Sequence, residues 1–454
     1  MLTKNFKEHF RKTILLAWPV CLSNLGNVMV GVVDIAMVGG IKESVAGYSG
    51  TTAQAAVSLA NGFYFLVLVF GMGVSYGVTP LAAEADSIGN VSENKKLLSH
   101  ALIVNVITNV FLFLFLFFAS PLMRHLDQPK DVVALAIPFL NVMMLGMIPL
   151  AIFASFKQFA EGLSFTRFAM IITIGTNLLN VLLNYILIYG KFGFSAMGMM
   201  GACWATFYSR LAMAVAMFLY IYYDRHFRKY RQALAFKSIS LERMKKIFSI
   251  GAGSGLQWVF EVGAFAFALV MIGWIGKREQ AAHQIALQLA AMTYLIASGI
   301  SAAASVRVGN QLGEKNIPSL RQAAFSAFAI VITTQIFFAI VFVLLRFTFP
   351  TFFNDEPEVQ KIVASLLLIA AFFQLSDGIQ VVALGSLRGM KDVNIPTVIT
   401  LVCYWLIGLP SSYALAFIFG FGVQGIWYGL TIALTLAAIS LFLRFNYVSK
   451  RLKF

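Results

Sequence analysis

The sequence predicts an all-α polytopic membrane protein, with twelve transmembrane helices in two parallel six-helix lobes. Three observations carry that prediction. Of 454 residues, 59% are hydrophobic and only 12% are charged, against about 25% charged in a typical soluble chain. Twelve apolar segments recur along the chain. Lys and Arg alternate between the connections that separate them.

The segments fall at 12–38, 50–76, 97–119, 131–155, 166–189, 196–222, 247–275, 283–306, 322–349, 360–387, 394–419 and 421–443. A run of about 20 apolar residues crosses the hydrocarbon core as a helix and is about twice as long as a barrel strand. Backbone polar groups in lipid must be satisfied within the segment, so helices follow. The first segment has a basic start, Lys4 to Lys12, but continues past signal-peptide length without a cleavage site. It reads as a span. The Phe-rich run at 111–118 suits lipid or bundle packing.

With both termini and the even-numbered loops in the cytoplasm, 25 Lys and Arg lie inside, 8 lie outside and Arg210 falls within a span. This is the positive-inside pattern, and it accounts for the net charge of +15 without nucleic acid. The expected location is the cytoplasmic (inner) membrane, with cytoplasmic N- and C-termini. Cys21, Cys203 and Cys403 are isolated, with no disulfide or zinc spacing. No Walker element and no HExxH motif is present, which disfavours ATP-driven and zinc-dependent chemistry in this chain.

The longest loop, 223–246, holds eight basic residues and divides the chain into 1–222 and 247–454. FGFSAMG at 192–198 and FGFGVQG at 419–425 are offset by 227 residues. GVS at 73–75 and GIS at 299–301 are offset by 226. Both halves begin on the same side, so the repeat is parallel. Gly73/Gly77 and Gly251/Gly255 have the small-xxx-small spacing of closely packed helices.

Of 19 acidic residues, three lie within spans: Asp34, Glu261 and Asp377. An acid at mid-membrane costs about 2.5–3.5 kcal/mol on the insertion scale. No basic residue is expected at comparable depth, so these acids should line a wet cavity, share protons or bind a cation. Hard cations take oxygen ligands, and a coupling ion, Na+ or H+, is expected without any further cofactor.

Amides surround these acids in sequence. Asn177, Asn180 and Asn184 lie in the fifth span, the last two on one face, and Thr206 in the sixth could add a hydroxyl. Gln257 precedes Glu261 by one turn, and Gln374 precedes Asp377 by three residues. Gln284 and Gln288 form an i,i+4 pair. Cavity lining and interhelical bonding remain alternatives for these amides. Trp258, Tyr294 and Phe373 are candidate aromatic cavity surface, whereas His283, just after a loop, is expected at the interface. Pro19 interrupts the first helix and could bend it.

VDIAMVG at 33–39, FEVGAF at 260–265, VRVGNQLG at 306–313 and DGIQVVALGSLRGMKD at 377–392 together resemble the MATE (multidrug and toxic compound extrusion) family, in its NorM-like bacterial branch. The resemblance covers essentially the whole chain. It implies a monomeric secondary active transporter that exports small amphipathic organic cations against Na+ or H+. It implies a C-lobe cation site at Glu261 and Asp377, which would be Na+ ligands if Na+ is the driver. It also implies an N-lobe proton, cation or substrate site at Asp34, Asn180, Asn184 and Thr206, and a bending role for Pro19. Three positions depart from the pattern: Asn184 is acidic in some members, Phe373 replaces a Tyr, and Ala252 stands where relatives often have Pro. The main rival is a lipid-linked oligosaccharide or lipid flippase, which the acidic trio disfavours. A membrane enzyme or a structural scaffold explains the acids less well.

Overall fold

The computed structural model describes residues 2–41, 48–125, 128–235 and 239–452. All twelve expected spans are helices: α1 Phe6–Gly39, α2 Gly50–Ser87, α3 Val91–His125, α4 Lys130–Gly162, α5 Arg167–Tyr189, α6 Met199–Tyr223, α7 Leu241–Ile275, α8 Lys277–Gly313, α9 Ile317–Leu345, α10 Pro357–Gly389, α11 Asn394–Ile418 and α12 Gly422–Arg451. Several run well past the apolar segments that announce them. A helix satisfies its own backbone in water as in lipid, so loss of hydrophobicity does not end it. Caps and glycines do. Asn90 Oδ1 accepts from Glu93 N at 3.0 Å to start α3, and Asn316 Oδ1 accepts from Ser319 N at 3.1 Å to start α9. Gly190, at φ +65°, closes α5 in the left-handed conformation.

Among the described residues, four helices depart from regular winding, one of them α3, which ends in the 3-10 stretch Ser120–His125. α2 is interrupted around Tyr76 and Gly77, and α4 at Gly146. In α11, Val402–Gly408 and Ala414–Ile418 widen into π-helix.

The chain packs as two compact units, Leu22–Gly255 and the combination of Met1–Cys21 with Leu256–Phe454. The borders fall inside α1 and α7, so the first turns of each of these helices belong to one unit and the remainder to the other. Within Leu22–Gly255, the two small-xxx-small pairs meet each other. A Cβ on Gly73 would run into Gly255, and one on Gly251 into the backbone of Val74. Its apolar core gathers Tyr64, Leu68, Leu116, Phe139, Leu140 and Met144. In the other unit, one core gathers Ile272, Leu366, Phe373, Tyr404 and Trp427, and a second gathers Phe328, Leu387, Leu441 and Phe445.

The basic linker expected at 223–246 runs over residues 236–238, which lie outside the described residues. Part of it, Arg228–Ala235, is a 3-10 helix. Phe227, just before it, and Tyr230, within it, are buried, the Tyr230 ring meeting Phe159 edge-on at 5.4 Å. Arg243 grips both carboxyl oxygens of Glu93 at 3.0 Å each.

Candidate functional site

In the unit Leu22–Gly255, Asp34, Asn180, Asn184 and Thr206 form one hydrogen-bonded cluster. Asn180 and Asn184, one turn apart on α5, are 1% and 0% exposed. Asn184 Nδ2 donates to Asp34 Oδ1 at 2.5 Å and to Asn180 Oδ1 at 3.1 Å. Thr206 Oγ1 donates to Asp34 Oδ2 at 3.1 Å. Asn180 Nδ2 in turn donates to Thr206 Oγ1 at 3.4 Å and to Ser209 Oγ at 3.3 Å. Each carboxyl oxygen therefore accepts from a neutral donor, while Asn184 Oδ1 is buried with no partner. An unpaired buried acceptor costs its desolvation unless something else reaches it. Ser209 is absent from the sequence candidates. Its only signal is its place three residues after Thr206, on the same face.

Asn177 turns elsewhere. Its Nδ2 would stand 2.8 Å from a Cβ on Gly26, so it packs on an earlier turn of α1.

The expectation that no basic side chain lies at this depth fails. Arg210, one turn after Thr206, donates from Nη1 to Tyr64 Oη at 2.5 Å, with its guanidinium carbon 5.3 Å from the Tyr64 ring centroid. Its charge reaches the Asp34 carboxyl. Gly146 makes the room: a Cβ there would stand 2.9 Å from Arg210 Nη1. Lys157 is a second buried base, because α4 continues to Gly162 and carries it inside. It lies 3.7 Å from Glu161 and donates to Ser23 Oγ at 3.2 Å.

In the other unit, Glu261 on α7 and Asp377 on α10 are 6% and 4% exposed. Asp377 is close enough to Glu261 to act on it electrostatically, and among the described residues neither forms an ion pair with a basic side chain. Asp377 Oδ1 is buried with no hydrogen-bond partner. Gln374, fully buried, donates from Nε2 to Gln335 O at 3.3 Å, and Gln335 Nε2 donates to Thr293 O at 3.4 Å. The side-chain oxygens of Gln374 and Gln335 are both left without partners. The unit thus buries two carboxyls and several unsatisfied oxygens, a donor set suited to a proton or a hard monovalent cation. Among the described residues, no three or more His, Cys, Asp or Glu group as a metal site.

The remaining candidates are dispersed. Gln257 donates to Val393 O at 3.3 Å and to Thr397 Oγ1 at 3.2 Å, joining α7 to the start of α11. Phe373 packs in an aromatic group, 5.8 Å from Phe265 and 5.4 Å from Trp427. Gln284 and Gln288 are exposed along one face of α8, with Met292 one turn further on. Trp258 is partly buried, as is Tyr294, which lies close enough to Tyr404 to act on it electrostatically. His283 is held inside the protein. α8 begins at Lys277, which carries His283 nearly two turns inside, fully buried, where its Nδ1 accepts from Trp427 Nε1 at 3.1 Å.

A family model described as MatE matches residues 19–186 and 254–414, well over half of the chain. The chain belongs to the MATE family. A curated relative, "Probable multidrug resistance protein NorM" of Agrobacterium fabrum, is 31% identical over 449 residues, covering 98% of this chain and 95% of the relative. A protein of the same description from Xylella fastidiosa is 32% identical over 447 residues, with 98% and 94% covered. "Multidrug resistance protein MdtK" of Yersinia pseudotuberculosis is 31% identical over 446 residues, with 97% and 96% covered. Among solved structures, the eukaryotic MATE transporter AtDTX14 superposes with a TM-score of 0.87 at 21% identity, covering 98% of both chains. An outward-facing MATE transporter of the MOP superfamily gives a TM-score of 0.87 at 19% identity, with 97% and 96% covered. The fold is shared with these structures. This MATE chain is a multi-pass secondary active transporter of the NorM-like branch that moves small molecules, and not an enzyme.

Proposed function

We propose that the chain is a cation-coupled multidrug antiporter, driven by Na+ or H+, that exports amphipathic organic cations across the cytoplasmic membrane. Both termini lie in the cytoplasm, and one chain suffices for transport. The observation that carries this reading is the pair Glu261 and Asp377, both buried and, among the described residues, in no ion pair with a basic side chain. Two desolvated carboxyls at one place favour a bound cation or a shared proton. In this reading the cation stabilises a conformation with weaker affinity for the drug, and differential binding to two states links the two fluxes. The membrane potential adds about 2.3 kcal/mol per elementary charge per 100 mV. Asp34, Asn180, Asn184 and Thr206 form a second site for a proton, a cation or the substrate, and Pro19 supports bending of α1.

The test is drug efflux from vesicles under imposed Na+ or H+ gradients. Efflux in the unmodified chain should follow one of the gradients, and Glu261→Gln and Asp377→Asn should lose that dependence. Efflux indifferent to both gradients, or full coupling in both variants, would sink the reading.

A further inference from the structure

We propose that Tyr404 is a further residue of the acidic site: its hydroxyl positions the Glu261 carboxyl toward Asp377 and so sets the affinity for the coupling cation. The inference rests on the assignment of coupling to Glu261 and Asp377 made above. No sequence signal marks Tyr404, which stands in the apolar run VCYWLIG.

The geometry does. Tyr404 is 0% exposed, its hydroxyl donates to Gln380 Oε1 at 3.0 Å, and its ring packs edge-on at 6.3 Å against Phe265, one turn after Glu261, which brings the phenol close to the Glu261 carboxyl. Gln380 follows Asp377 by three residues, on the same face of α10. The phenol thus stands between the helices that carry the two acids, supplied by a third. A phenol has one proton to donate and lone pairs to accept with. Gln380 Nε2 is buried with no partner, so the amide has a second arrangement. Rotated by half a turn, Nε2 donates to the phenol oxygen, and the phenol keeps its proton and turns that O–H to donate a hydrogen bond to the Glu261 carboxylate. Phe373, one turn before Asp377, has no hydroxyl to offer.

The backbone holds this contact in place. Tyr404 lies in the π-helical stretch Val402–Gly408, a winding that is rare and often found at functional sites. Tyr404 and its neighbour Trp405 both address α7. Trp405 Nε1 donates to Phe260 O at 3.0 Å, and its ring fills the notch at Gly263, where a Cβ would stand 3.1 Å from Cζ2. Phe260 and Gly263 bracket Glu261. The π-helical stretch is therefore keyed to α7 around the acid that the phenol faces.

The test uses the full chain in liposomes. Initial drug efflux is measured against Na+ concentration at fixed pH, and against pH at fixed Na+. Tyr404→Phe keeps the ring and removes only the hydroxyl. The expected result is a rise of about tenfold in the concentration of coupling ion at half-maximal rate, the size of one charge-assisted hydrogen bond, with the maximal rate preserved. Gln380→Met should shift the same quantity in the same direction, and it decides the question if Tyr404→Phe cannot be purified. A second readout, protection of the purified protein from thermal unfolding by the ion alone, should need correspondingly more ion. Unchanged half-saturation, or a loss of stability and maximal rate without a shift in it, overturns the proposal. If that happens while Glu261→Gln and Asp377→Asn abolish coupling, only the role of Tyr404 fails. If those two variants stay coupled, the acidic-pair reading fails with it.

Discussion

Asn184 Nδ2 donates to Asp34 Oδ1 at 2.5 Å, joining residues 150 positions apart and tying α5 to α1 at a half-buried acid inside an apolar helix. Asn184 also donates to Asn180, so it organises the cluster rather than decorating it.

Asn184→Leu should therefore reduce efflux by about 10–100-fold at limiting ion, the cost of one hydrogen bond to a charged group. Asp34→Asn should be comparably impaired. Because the two side chains act as a unit, the double variant should be little worse than Asp34→Asn alone. Losses that simply add would show that the two residues act independently. Efflux rates of the three variants, normalised to folded protein, provide the comparison.

Lys157 and Glu161 form a buried ion pair, 7% and 2% exposed, with nitrogen and oxygen 3.7 Å apart. Lys157 also donates to Ser23 Oγ, which donates to Thr173 Oγ1 at 3.1 Å. Removing one partner of a buried pair strands the other charge, at a cost of about 3–5 kcal/mol, whereas replacing both with apolar groups is often neutral. Lys157→Met should thus lower the unfolding temperature strongly, and Lys157→Met with Glu161→Leu should recover much of the loss. A double variant less stable than either single one would contradict this account. Thermal unfolding in detergent measures it.

Gly251 lets α7 lie directly on α2 at Val74. Gly251→Ala places a methyl against backbone that has no flexible end to move aside, so destabilisation of at least about 1–3 kcal/mol is expected. Gly31, with nothing within 4 Å of its Cβ position, is the control, and Gly31→Ala should be neutral or slightly stabilising. Equal unfolding temperatures for the two variants would remove the close-approach argument.

These contacts show what the sequence could announce. Twelve helices were legible because apolar runs of that length have few other solutions, but helix ends were not, since α4 and α8 continue once hydrophobicity fades. Asp34, Glu261 and Asp377 were legible through the cost of their burial, and Asn180 with Asn184 through their shared face. Arg210 was underestimated because counting residues along a helix does not reveal that Gly146, on another helix, opens a place for its guanidinium. The glycine pairs were recognisable as packing surfaces, but nothing local says that Gly73 meets Gly255. Tyr404 left no trace for a similar reason. A hydroxyl inside an apolar run gains meaning only from the helices folded against it.

Pro19 offers the remaining test. α1 runs unbroken to Gly39 with Pro19 inside it, so the Leu15 carbonyl has no N–H partner four residues on, and the ring crowds that turn. The border between the two compact units falls between Cys21 and Leu22, just beyond the proline. Before it, Thr13 shares a hydrogen bond with Ser326 at 3.1 Å, Arg307 Nη2 donates to His9 Nδ1 at 2.7 Å, and Cys21 Sγ donates to Ile296 O at 3.3 Å. After it, Ser23 bonds to Thr173. The proline thus weakens α1 where the helix exchanges one set of partners for another. Pro19→Ala restores the missing bond and should raise the unfolding temperature, since an interior helix proline costs about 3 kcal/mol. If α1 must bend during transport, the same change should lower the maximal efflux rate while leaving the half-saturating ion concentration unaltered. A more stable variant with an undiminished rate would show that the bend is not used. A variant that is slower but no more stable would place the role of Pro19 in side-chain packing instead of the backbone.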